Sequence, residues 1–159
     1  MEKTVKFIRF QQLKQQALAL CREEGKALPD PDQMNPIVLA LIGDSVFTFY
    51  IRLRLLPVSS HVQVIHTLAA KMVSAVMQAK AMHVLETGLS EKEAAVVHRG
   101  RNAKSMVPKS ASVSEYRAAT AFEALCGWLL LTDREERLEE FMEQAFQVIS
   151  REMQDQSEG

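Results

Sequence analysis

The sequence predicts an all-α protein, and three observations carry that reading. Apolar residues recur at helical rather than alternating spacing. Glycine is scarce, at 6 of 159 residues, and no run alternates cleanly between turn signals. Capping residues stand where the periodic segments begin.

The first helix is expected from about Thr4 to Glu24, with Val5, Ile8, Leu13, Leu18 and Leu20 as its apolar positions. Gly25 is placed to stop it, and Pro29 and Pro31 close the segment. Asn35-Pro36 opens a second helix, with asparagine as N-cap and proline in the first turn, ending near Leu56-Pro57. Ser60 is read as the cap of a third stretch that reaches Thr87-Gly88 with a break near Leu68. Ser90 and Glu93 form a capping box for the next helix, which fades between Arg101 and Ser105. After a polar loop with Pro108, Ser114 opens a helix to about Thr132, and Asp133 opens the last one, to about Met153. These elements imply a helical extension over residues 1–32, one main domain over 33–153 and a frayed tail over 154–159.

Composition narrows the class. Hydrophobic residues make up 47% and charged residues 25%, which excludes disorder of the whole chain. Cys21 and Cys126 sit in apolar stretches without CxxC or zinc spacing, so a reducing, cytoplasmic setting is expected. No secretory signal pattern opens the chain. The apolar run from Pro36 to Ile51 reads as too short for a bilayer and carries Asp44, so no membrane partner is expected. The four histidines make no HExxH or ExxH pair, and GxGxxG, P-loop and GxSxG elements are missing, so no nucleotide cofactor is expected. Net charge is −1, but its distribution is uneven. Residues 33–132 hold ten Lys/Arg against six Asp/Glu, and residues 133–159 hold three against nine. A mildly basic middle is compatible with a polyanionic partner.

Two helices share one anomaly. Asp44 is the only charged residue between Asp32 and Arg52, and Glu123 the only one between Arg117 and Asp133. Helices apolar nearly all round belong in a core, where a lone carboxylate is costly unless paired, hydrogen-bonded or metal-bound. Gly43 adjoins Asp44, and Gly127 lies one turn beyond Glu123. Two glycines in helices, each weakening its helix by ~1 kcal/mol relative to alanine, point to close backbone approach between the two. Two such acids could jointly hold magnesium, which prefers oxygen ligands and keeps several waters. The other possibility is that Asp44 caps a backbone group and Glu123 pairs with an arginine such as Arg52.

From Ala94 to Ser114 there is no acidic residue, while His98, Arg99, Arg101, Lys104 and Lys109 stand among Asn102, Ser105 and Ser112. Such a segment suits phosphate and ribose contacts, with Gly100 read as letting the chain turn at a helix end. Lys71 could add a contact from the third helical stretch. Taken alone, the segment could equally be a solvated loop. No aromatic residue interleaves the cations, so base stacking on single strands is not indicated.

These residues bring a family into view. Leu41-Ile42-Gly43-Asp44-Ser45-Val46 resembles the signature helix of ribonuclease III, and Thr120-Ala121-Phe122-Glu123-Ala124-Leu125 its second catalytic helix. The block from His98 to Ser105 and the stretch from Tyr116 to Leu125 resemble the Mini-ribonuclease III subgroup, and the likeness spans about residues 35–150. The resemblance implies a homodimeric, all-helical endonuclease domain that cuts double-stranded RNA with Mg²⁺, leaving short 3′ overhangs, and that matures precursor 23S ribosomal RNA. It assigns catalysis and metal binding to Asp44 and Glu123. Lys71, Arg99, Arg101, Asn102, Lys104, Ser105 and Lys109 are the expected RNA contacts. Two acids of full-length ribonuclease III are replaced here, by Ala40 and Thr120, as in the Mini subgroup; fewer protein ligands remain for the ion. The rival readings are a non-catalytic helical RNA-binding dimer, whose acids are structural, and a helical protein–protein adaptor.

Overall fold

The computed structural model describes residues 2–26, 28–109 and 111–158, and in the first helix the side chains from residue 12 onward. Among these residues it contains seven α-helices and no strand. The chain divides into two compact units, Met1–Gln33 and Met34–Gly159. The first unit is α1 (Glu2–Glu23), closed by Gly25 at φ 75°. The Lys26 amide donates to the Cys21 carbonyl and the Gly25 amide to that of Arg22, a C-terminal motif that needs the left-handed residue. The side chains of Val5 and Ile8 lie outside the described residues, while Leu13 and Leu20 are exposed.

The second unit is built on α6 (Val113–Leu131), in which every residue from Ala119 to Leu130 except Glu123 is buried. Around α6 pack α2 (Pro36–Leu55), α4 (Ala75–Leu85), α5 (Glu91–Arg101) and α7 (Glu135–Glu158), while α3 (Val62–Met72) packs on α2. Asn35 caps α2 by accepting from the Ile37 amide, as its position before Pro36 requires. The capping box of Ser90 and Glu93 forms as expected on α5. An aromatic column runs through the core: Phe47 meets Phe122 edge-on at 4.8 Å between centroids, and Phe122 meets Phe141 at 5.1 Å.

Two carboxylates tie α7 to its neighbours. Arg54 of α2 donates to both oxygens of Glu143 at 2.9 and 2.8 Å, and the Tyr50 hydroxyl donates to the same carboxylate. Burial raises the proton affinity of Glu143, but the bonds from Arg54, Tyr50 and Gln147 outweigh it and hold its pKa near 2. Glu93 of α5, itself buried, accepts from Arg137 of α7 at 2.8 Å.

The structure corrects several boundaries. The third stretch breaks at Val73-Ser74, not near Leu68, because the Ser74 hydroxyl caps α4 by accepting from the Met77 amide. His61, not Ser60, precedes α3. Ser112 with Glu115 makes the capping box of α6, two residues ahead of Ser114. Asp133 does not open α7; at φ 58° it closes α6, and the Arg134 amide donates back to the Leu129 carbonyl. α7 continues to Glu158 through the segment expected to fray, which contains no helix-breaking residue before Gly159; Gly159 lies outside the described residues. At 20 residues α2 is also longer than the run read from the sequence, and by length and composition alone it could cross a membrane.

The largest correction concerns α2. It was expected in the core on all sides, but it buries one stripe, Leu39, Gly43, Phe47, Ile51 and Leu55, at every fourth residue, with Ala40 beside it. Its other face leaves Leu41 67% and Phe49 53% exposed. The close approach expected from the paired glycines is present. A Cβ on Gly43 would penetrate the Glu123 carbonyl oxygen and stand 2.8 Å from the Gly127 nitrogen; one on Gly127 would penetrate the Leu39 carbonyl. Gly100 makes a third such contact, since a Cβ there would lie 2.7 Å from the Ala121 Cα. It is a buried helical residue of α5, not the turn read from the sequence. Gly127→Ala should destabilise the protein by about 3 kcal/mol or more, because the obstacle is backbone. Gly88→Ala, facing open space, should stay within about 0.5 kcal/mol. Denaturant unfolding of both variants checks the contrast, which equal stabilities would refute.

Candidate active site

α2 and α6 deliver Asp44 and Glu123 to one cleft of about 420 Å³. Its walls come from Val38 and Leu41 of α2, Ala75 of α4, Pro108 of the loop before α6, and Tyr116 and Thr120 of α6. The juxtaposition follows from the glycine contact: Gly43 rests against the carbonyl of Glu123, so the next residue on α2 emerges beside the carboxyl of that glutamate. Ala40 and Thr120, which stand where full-length ribonuclease III has acids, line the same cleft. The Thr120 hydroxyl donates back to the Tyr116 carbonyl at 3.0 Å.

The two acids differ in setting. Asp44 is exposed, against the expectation that both lie in the core, because among the described residues of its unit nothing packs over that side of α2. Glu123 is largely enclosed. Burial first, and then the negative charge of Asp44, push its pKa up to about 8, against a favourable influence from the Gln78 amide. Neither carboxylate forms an ion pair with a basic side chain among the described residues. Arg54 is engaged with Glu143 and Arg52 is exposed. Nor do three or more His, Cys, Asp or Glu gather anywhere among those residues. The donor set is therefore two carboxylates with mutual repulsion and no internal counter-charge. That set fits a hard cation that keeps most of its water.

Sequence reasoning missed Gln78. It is completely buried on α4, and in strict geometry neither amide atom has a hydrogen-bond partner, although the amide lies close enough to Glu123 to favour its ionised form. The signal was legible: Met77, Gln78, Ala81 and Met82 share the core face of α4, so glutamine there is the same anomaly that drew attention to Asp44 and Glu123.

The basic segment is split by the fold. Ser105 donates to the Tyr116 hydroxyl at 2.8 Å and so joins the loop to the cleft wall, and Lys109, next to wall residue Pro108, is exposed. Lys71, in the last turn of α3, and Lys104 are exposed. Arg99 is half-buried. Arg101 and Asn102 face a different, more polar cleft of about 610 Å³, with His83, Ser114 and Arg117. There Arg101 is held by Glu86 at 2.5 Å, and Asn102 lies 3.1 Å from the His98 ring.

The ribonuclease III domain family matches residues 37–134, which include both acids. Mini-ribonuclease 3 of Brevibacillus brevis is 43% identical over 122 residues, 76% of this chain and 91% of its own. That of Symbiobacterium thermophilum is 42% identical over 127 residues, 78% and 97%. The chain belongs to the Mini-ribonuclease 3 family. It is thus a ribonuclease III-type endoribonuclease, and the helical RNA-binding or adaptor readings without catalysis give way to an enzyme. The crystal structure of protein FN1578 from Fusobacterium nucleatum is 24% identical and superposes with a TM-score of 0.69 over 72% of this chain and 96% of that one, sharing the fold.

The raised pKa of Glu123 has a consequence for this family member without metal. Protonated Glu123 favours the folded state, so its contribution is complete below the ordinary value of 4.5 and is lost as pH rises through about 8. In EDTA, Glu123→Gln should match wild-type stability near pH 4 and exceed it at pH 7 by up to roughly 3 kcal/mol. Denaturant unfolding at both pH values tests this; a difference independent of pH would show that Glu123 is not raised.

Proposed function

We propose that this endoribonuclease cleaves double-stranded RNA at the cleft between α2 and α6, with Mg²⁺ held by Asp44 and Glu123. The observation that carries the reading is the meeting of two unpaired carboxylates from separate helices in one cleft. Bound there, the ion would supply an activated water and charge stabilisation at the phosphate. The chain supplies the rest. Enclosure of Glu123 keeps bulk water from competing for its carboxylate, and exposed Asp44 leaves the other side open to a large substrate. Lys71, Lys104 and Lys109 meet phosphates by charge, Arg99, Arg101 and Asn102 add directional donors to phosphate and 2′-OH groups, and the Ser105 oxygen, whose proton goes to Tyr116, accepts from a 2′-OH. The substrate we infer, from the family resemblance, is precursor 23S ribosomal RNA in the cytoplasm.

We also propose a homodimer through the outer face of α2. Leu41, Phe49 and Leu53 are exposed on one helix, and contiguous exposed apolar surface of that kind marks an association site. In sedimentation, the wild type should run as a dimer and Phe49→Glu as a monomer; a monomeric wild type would refute the proposal.

Purified Asp44→Asn and Glu123→Gln should lose Mg²⁺-dependent cutting of duplex RNA and retain duplex binding. Lys104→Ala should cut slowly and lower the salt dependence of binding by about 0.9 in log–log slope. Cutting retained by either acid variant, or cutting by wild type in EDTA, would defeat the metal assignment.

A further inference from the structure

Gln78 differs from the buried side chains of Glu93 and Thr120. Glu93 has an arginine partner, and Thr120 donates to a carbonyl. Gln78 is fully buried on α4, and its Nε2 and Oε1 are both without a hydrogen bond. Leaving a buried amide unpaired costs about 1–3 kcal/mol, and the other buried residues of α4, Met77, Ala81 and Met82, are all apolar. The location gives the reason. Ala75, one turn earlier on α4, lines the cleft of Asp44 and Glu123, and α4 packs directly on α6. α2 and α6 send Asp44 and Glu123 into the cleft, Gln78 of α4 approaches Glu123 from the core side, and once both carboxyls are ionised the amide is the one donor among the three.

We propose that Gln78 is a positioning residue of the metal site: with the cation bound, its Nε2–H donates to the Glu123 carboxylate and holds it turned toward Asp44. The proposal rests on the magnesium reading above. A site with two protein carboxylates has few constraints on their direction, and a fixed donor behind the enclosed one supplies the missing constraint. Partners of this kind typically contribute 10- to 100-fold in metal affinity.

The test uses the full chain without RNA. Mg²⁺ affinity is measured by titration calorimetry for wild type, Gln78→Met, Gln78→Leu and Asp44→Asn, and thermal stability is measured in EDTA. Gln78→Met and Gln78→Leu should be at least as stable as wild type in EDTA, yet bind Mg²⁺ roughly 10- to 100-fold more weakly. In ¹⁵N-labelled wild type, the Gln78 side-chain amide resonances should shift and gain exchange protection as Mg²⁺ is added, a readout that needs no variant. Affinity within twofold of wild type in a folded variant, or amide resonances unmoved at saturating Mg²⁺, would overturn the positioning role while leaving the metal site intact. Loss of stability in EDTA would overturn it by showing that the amide serves the metal-free fold. A wild type that binds Mg²⁺ no better than Asp44→Asn would overturn both this role and the magnesium reading.

Discussion

The site depends on a contact in which no side chain takes part. Gly43 and Gly127 let the backbones of α2 and α6 touch, each glycine standing where a Cβ would enter the other helix's carbonyl. Dispersion over such a close interface is large because many atoms approach at once, and the glycines' loss of helix propensity is the smaller term. The same contact fixes the chemistry. Asp44 follows one glycine, and Glu123 precedes the other by one turn, so any sliding of α2 along α6 would separate the carboxylates. Packing and site geometry are one constraint here.

Around this contact the domain treats its carboxylates in two ways. Glu93 and Glu143 tie α5 and α2 to α7 through arginines, and bonds to those arginines keep both ionised despite burial. Glu123 has no arginine, faces another acid and binds its proton tightly in the metal-free chain. Fully paired networks favour rigidity; an acid with no basic partner beside a buried amide is the reverse, a local cost next to helices whose carboxylates are tied to arginines. Such breaches of local consistency are expected where function, not stability, selects the residue.

Much of this was legible in the sequence, because the signals were local. The Asn35-Pro36 start of α2, the Ser90–Glu93 box and the Gly25 stop each depend on residues within one turn, and each forms. The paired glycines beside lone acids reported a helix–helix contact without any knowledge of topology. What escaped was set by tertiary context. Whether an all-round apolar helix is enclosed depends on how many neighbours its domain provides, and among the described residues of its unit α2 is covered along one stripe, so Asp44 emerged exposed. Gly100 looked like a turn because its role, contact with Ala121, lies on another helix. The basic segment looked like one surface because it is contiguous, whereas the loop carrying Ser105 and Lys109 joins one cleft and Arg101 and Asn102 border another. Gln78 was hidden by the misplaced break before α4, since its place on a core face is apparent only once Ser74 is taken as the cap.

The exposed side of α2 and the cleft are not independent surfaces. Val38 and Leu41 belong to both: they are exposed on the outer face and they line the cleft that holds Asp44 and Glu123. Apolar walls around a carboxylate pair matter because they lower the local dielectric and strengthen every charge interaction inside. In the single chain that wall opens to solvent at Leu41, on the side where Asp44 is exposed. If the proposed self-association buries this face, the second copy adds apolar wall beside Leu41, while the cleft stays open to substrate at Asp44. Association would then extend the apolar wall of the cleft and not only double the site, which gives a physical reason for an apolar face to persist within a turn of Asp44.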